Sequence, residues 1–162
     1  MGRVKGAVEV VVQILEQVED PELLELYARQ AVLLTLEVTG AVPRAGGVGI
    51  VLAGGAYVRE LSRHYRGEDE DTDVLAFPME EAEGRDPFTG TSDAILGDVI
   101  ISLPTASSQA GQYGHPLEVE VALLVTHGIL HLLGYDDQNA AGEEGMWEKQ
   151  REVLARLTAP TA

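Results

Sequence analysis

The residues best equipped for chemistry lie in one run, HGILHLLGYDD, from His127 to Asp137. His127 and His131 are four residues apart, so on a helix they share one face, roughly 6 Å apart along the axis. Two imidazoles presented in this way make half of a tetrahedral metal site. Gly134-Tyr135 breaks the apolar run, and a third ligand would come from just beyond the break, where Asp137 stands. Imidazole donors in a site of low coordination number suit zinc. A carboxylate in third place is harder and also tolerates manganese, iron or nickel. Three protein ligands leave one position open, which marks a catalytic zinc able to acidify water and polarise a substrate oxygen. Either histidine alone reads better as a packed ring bonded to a backbone carbonyl. The pair, the helix stop and the acidic residues together favour the metal. In HExxH metalloproteases the residue after the first histidine is the general-base glutamate. Here it is Gly128, which either admits a close approach of substrate or chain, or is a small packing residue.

The elements that must position this run can be read coarsely. Ala7–Leu15 is rich in valine and reads as a strand. Asp20-Pro21 reads as an N-cap with proline at the first helical position, opening a helix that stops near Gly40. Val48–Leu52 is a second strand, and Gly54-Gly55 opens a shorter helix closed by Gly67. Val74–Phe77 is a short strand ended by Pro78, residues 79–94 are an acidic loop, and Ile95–Leu103 is the fourth strand. A short helix runs from about Thr105 to Tyr113. Leu117–Leu133, apolar almost all round, is the buried central helix carrying the histidines. A last helix, about Ala141–Leu157, shows Met146, Trp147, Gln150, Val153, Leu154 and Leu157 as one stripe. The expected fold is α+β: a single domain over residues 1–162, with a four-stranded mixed sheet, about five helices and a zincin-like metal helix.

Composition narrows the classes. The 162 residues contain no cysteine, which excludes disulfides and thiolate metal sites. No signal peptide is evident, and no apolar run approaches the roughly 20 residues that cross a bilayer, so a cytoplasmic protein without membrane contact is expected. Eleven Lys and Arg against 27 Asp and Glu give a net charge of −16. That field repels nucleic acid at long range and counts against broad phosphate binding. It leaves room for a small basic site, for which Arg59, Arg63 and Arg66 are the candidates.

HGILHLLGYDD resembles the HGxLHLxGYDH signature of the YbeY family, bacterial single-strand-specific endoribonucleases. Leu61–Pro78 (LSRHYRGEDEDTDVLAFP) resembles the family's LNxxYRxxDxxTDVLSFP block. Leu96–Ser102 (LGDVIIS) resembles its LGDIxIS strand, and Tyr113–Gly128 resembles its approach to the metal helix. Glu144, Met146, Gln150 and Leu154 fit its closing helix. The resemblance spans roughly residues 45–157. It implies one zinc ion held by His127, His131 and position 137. It implies action on single-stranded rRNA of the small ribosomal subunit, in 3′-end maturation and ribosome quality control, with association to ribosomal components and the GTPase Era; DNA is not an implied substrate. It also implies that Arg66 contacts RNA phosphate, where a guanidinium would fork onto two oxygens and stabilise transition-state charge. Read from its neighbours alone, Arg66 is a helix-end charge paired with Glu68 or Asp69.

The chain departs from the family pattern at Ser62 for Asn, Asp71 for Pro, Ala76 for Ser and Asp137 for the third His. As a ligand, Asp137 would lower the net site charge to +1 and make bound water less acidic. The other reading is a capping Asp137, with Asp136 or a water completing a weak site. Several residues carry two readings each. His115 borders the cleft and contacts substrate, or is a turn residue. Asp98 orients a metal-bound histidine, or sits on a solvent-facing edge. Glu118 and Glu120 supply a base, or cap a helix. His64 is expected at the surface, and Trp147 and Tyr135 in or over the core. Three functions follow: a metal-dependent endoribonuclease with Arg66 and His127 in its catalytic machinery, a non-catalytic metal-binding ribosome-assembly factor, and a metalloprotease-like hydrolase, which Gly128 disfavours.

Overall fold

Capping and side-chain alternation divide the chain into nine elements among the described residues, which in this computed structural model are 8–41, 47–67, 72–78, 97–135 and 137–158. They run β1 (Glu9–Ile14), α1 (Pro21–Thr39), β2 (Gly47–Ala53), α2 (Gly55–Arg66), β3 (Val74–Pro78), β4 (Gly97–Ser102), α3 (Leu103–Tyr113), α4 (Leu117–Leu132) and α5 (Ala140–Thr158). Asp20 caps α1, its carboxylate accepting from the Leu23 N–H at 3.2 Å. Helix α3 starts two residues earlier than its sequence suggests because Ser102 ends β4 and caps the helix at once, its Oγ accepting from the Thr105 N–H. The expected loop 79–94 and the first residues of the expected fourth strand lie outside the described residues.

The sheet order is β1-β2-β4-β3. β1, β2 and β4 are mutually parallel, and β3 pairs antiparallel with β4 from Val74↔Ile101 to Pro78↔Gly97. Pro78 is tolerated because β3 is an edge strand. This is the α+β fold with a four-stranded mixed sheet and five helices.

Alternation gives the sheet two apolar faces. Val10, Val48, Ile50, Leu52, Val99 and Ile101 face α1 and α4 in the main core. Ala53, Leu75 and Ile100 face the other way and pack with Val58 of α2. Helix α4 is the centre of the first layer: ten of its sixteen residues are buried, and it contacts α1, α3, α5, β3 and β4. Such burial all round matches the expectation of a central helix.

Gly128 is where α4 meets the sheet. A Cβ there would lie 2.6 Å from Val99 Cγ1 and 2.9 Å from Cγ2, closer than packed carbons come. The glycine therefore serves a close helix–sheet approach. Ala in place of Gly favours a helix by about 1 kcal/mol. Forcing a methyl against a stiff, fully buried valine costs about 1–3 kcal/mol, at the upper end for so short a contact. Gly128→Ala is therefore expected to lower the melting temperature by a few degrees. Combining it with Val99→Ala should destabilise by less than the sum of the two single changes, as measured by thermal or denaturant unfolding.

Candidate metal centre

Helix α4 ends in a Schellman turn. The Gly134 N–H donates to the His131 carbonyl at 3.0 Å, and the Tyr135 N–H reaches back to the Leu130 carbonyl at 2.9 Å. Gly134 takes φ +98°, a backbone angle that side chains disfavour. This turn folds the chain back over the last helical turn and brings Asp137 to the histidine face. One donor atom from each of His127, His131 and Asp137 lies within 4.8 Å of the other two. The Nε2 atoms of the two histidines are 3.0 Å apart. Zinc–nitrogen bonds of about 2.0–2.1 Å place tetrahedral donors about 3.3 Å apart, so small adjustments would close this set around an ion. His127 is half-buried, while His131 and Asp137 are exposed, so the cluster is open to solvent on one side.

A fourth residue, not assigned a role from sequence, orients the first. The Gln150 Oε1 on α5 accepts from Nδ1 of His127 at 3.3 Å. A proton on Nδ1 leaves the Nε2 lone pair directed at the donor cluster, the usual way an outer hydrogen bond prepares a metal histidine. Asn139 begins α5 by accepting the Gly142 N–H at 2.8 Å, so the segment linking Asp137 to Gln150 is short and capped at its start.

Two adjoining hollows flank the cluster. One, of about 430 Å³, lies between edge strand β3 (with Thr72 and Asp73 before it) and α4, and is lined by His127, His131 and Asp137. The other, of about 460 Å³, is lined by α3, α4 and α5. Asp73 and His127 line both. Asp73 is held by Gln109, whose Nε2 donates to its Oδ2 at 3.3 Å. Sequence reading also passed over Asp73, although it stands in the Leu61–Pro78 block.

The remaining candidates sort clearly. His115 lines the second hollow, and its Nε2–H donates to Glu120 at 2.6 Å. Glu120 is buried and engaged by this histidine instead of capping the helix end in water. Asp98 corrects one expectation. It is exposed and points beside Gly49, on the sheet face opposite α4, so the sheet separates it from the histidines. Because β4 is an inner strand, Asp98 is not at an edge either. Trp147 corrects another: it is 55% exposed instead of packed in or over the core. His64 is at the surface as expected. Arg63 pairs with Glu60 on its own helix, a surface pair of little energetic weight. Arg66 closes α2; its side chain, with Glu68, Asp69 and Asp136, lies outside the described residues.

A histidine pair on one buried helix, joined by a carboxylate from the following turn and leaving an open side, is a donor set that could hold a metal ion. The family model described as "Endoribonuclease YbeY" matches residues 13–158, and the chain belongs to the YbeY family. The protein named endoribonuclease YbeY from Desulforamulus reducens is 40% identical over 148 residues, covering 91% of this chain and 95% of that protein. The one from Carboxydothermus hydrogenoformans is 42% identical over 147 residues, with the same coverages. The one from Pelotomaculum thermopropionicum reaches 50% over 111 residues, 68% of this chain and 71% of its own length. Among solved structures, the solution structure of TM1509 from Thermotoga maritima shares the fold, with a TM-score of 0.58 at 24% identity over 91% of this chain and 88% of that one.

The outer hydrogen bond gives a direct check. Gln150→Leu keeps the volume on α5 but removes the acceptor, and should weaken zinc binding about 10–100-fold in a competition titration while leaving the circular dichroism spectrum unchanged.

Proposed function

We propose that this chain is a single-strand-specific metallo-endoribonuclease, working as one domain over residues 1–162, which acts in small-subunit rRNA 3′-end maturation and ribosome quality control. The observation that carries the reading is the convergence of His127, His131 and Asp137 within a chain of this family. These three would hold one zinc ion, and the donor set fits it. When bound, the ion supplies Lewis acidity toward a phosphoryl oxygen and acidifies water.

The chain's own residues do the rest. His127 and His131 present Nε2 from a helix held rigid by burial on nearly every side, and Gln150 keeps the proton of His127 on Nδ1. Arg66, at the C-terminal end of α2, forks onto phosphate oxygens and offsets the charge that grows as a phosphodiester becomes pentacoordinate. His115, oriented by buried Glu120, contacts the strand in the adjoining hollow. With Gly128 packed on Val99, no glutamate stands where HExxH proteases carry their base, which argues against peptide hydrolysis by that route. Cytoplasmic location and work with the small ribosomal subunit and the GTPase Era belong to the same reading. Among the described residues no helix is long and apolar enough to cross a membrane.

A second reading, a non-catalytic metal-binding ribosome-assembly factor, draws on the exposed carboxylate at position 137 and the charge of −16. Purified protein should cleave single-stranded RNA and leave casein intact, with cleavage abolished by chelator and by His131→Ala. Arg66→Ala should lower kcat by about 10²–10³-fold, with Arg66→Lys retaining part of it. No cleavage of either substrate by zinc-loaded protein would favour the assembly factor, and cleavage of casein would favour the hydrolase.

A further inference from the structure

We propose that the hollow between α3, α4 and α5 is a subsite for one unpaired nucleobase of the RNA strand whose phosphate lies at the His127–His131–Asp137 cluster. This rests on the RNA reading above and specifies how the strand is held. The hollow adjoins that cluster directly, since His127 and Asp73 line both cavities. A strand with its phosphate in one cavity has a neighbouring nucleoside to place in the other.

The walls fit a flat, neutral, aromatic ring. Two exposed aromatic side chains border the cavity: Trp147 on α5, and Tyr113 at the end of α3, which is 68% exposed. Bases stack on such platforms whatever their sequence, and ssRNA modules commonly recognise strands this way. The His115 ring stands 6.0 Å from Tyr113, centroid to centroid, and its bond to Glu120 holds it there. Glu120 and Asp73 make the interior acidic, with Arg151 as the one Lys or Arg among its described lining residues. Such a cavity disfavours a phosphate and accepts an uncharged base, whose N–H groups can donate to the Asp73–Gln109 pair. A base seated here has left any duplex, so the subsite selects unpaired strands.

Trp147 is the single tryptophan of the chain, so its emission reports on this cavity. Zinc-loaded full-length protein would be titrated with a labelled 2′-O-methyl hexanucleotide and with the same backbone made abasic. Anisotropy follows binding and tryptophan emission follows stacking. The subsite predicts saturable quenching by the base-bearing strand, binding weakened about tenfold or more by Tyr113→Ala or Trp147→Ala, and near-native affinity for Trp147→Phe, which keeps a stacking ring. Binding with unchanged emission, or equal affinity for the abasic strand, would overturn the subsite and leave the RNA reading intact. Failure of every oligonucleotide to bind would overturn both.

Discussion

The approach of α4 to β4 at Gly128 and Val99 is the constraint on which the site depends. At 100° per residue, His127 and His131 lie about 100° and 60° to one side of Gly128 around the helix. Once Gly128 is seated on Val99, both imidazoles project to that side, where the cavity beneath β3 opens. A larger residue at 128 would lift or rotate the helix and move both rings together. Interiors pack too densely to absorb such a shift without displacing neighbours. The Schellman turn then adds Asp137 and Asn139 caps α5, which returns Gln150 to His127. Each later feature takes its position from the first contact.

Charge sets the second constraint. A protein at −16 gains nothing from long-range attraction to RNA. In the proposed reading, affinity comes from short-range terms: a cation at the cluster, a guanidinium from Arg66, and stacking against Trp147 and Tyr113. These act within a few ångströms, where the net field matters less than the local donors. The carboxylate of Asp137, standing where the family signature has histidine, would as a metal ligand shift the balance further by removing one unit of positive charge from the site.

The parts legible in the sequence were those encoded locally. Proline, glycine and alternation marked the strands and helices, and the i, i+4 histidines followed by Gly-Tyr and Asp announced the donor cluster. What escaped were contacts between distant segments. Gln150 meets His127 across 23 residues, and Gln109 meets Asp73 across 36. No periodicity links such positions. Asp98 was ambiguous because its strand is apolar on both sides, and only the packing of Val99 and Ile101 with α4 shows which face looks at that helix. Trp147 follows Met146 by 100° on α5. Met146 is 2% exposed and turned inward, so its neighbour is carried out to the cavity rim, where an apolar stripe read from sequence would have buried it.

The central claim is that two helix-borne imidazoles and the carboxylate of Asp137 together hold a metal ion. X-ray absorption at the zinc edge, on protein carrying one zinc per chain, tests it most directly. The expected spectrum is that of a four-coordinate ion with two imidazole nitrogens and light oxygen donors, with the shell lost or altered in Asp137→Ala. A spectrum with fewer than two imidazoles, or one unchanged by Asp137→Ala, would contradict it.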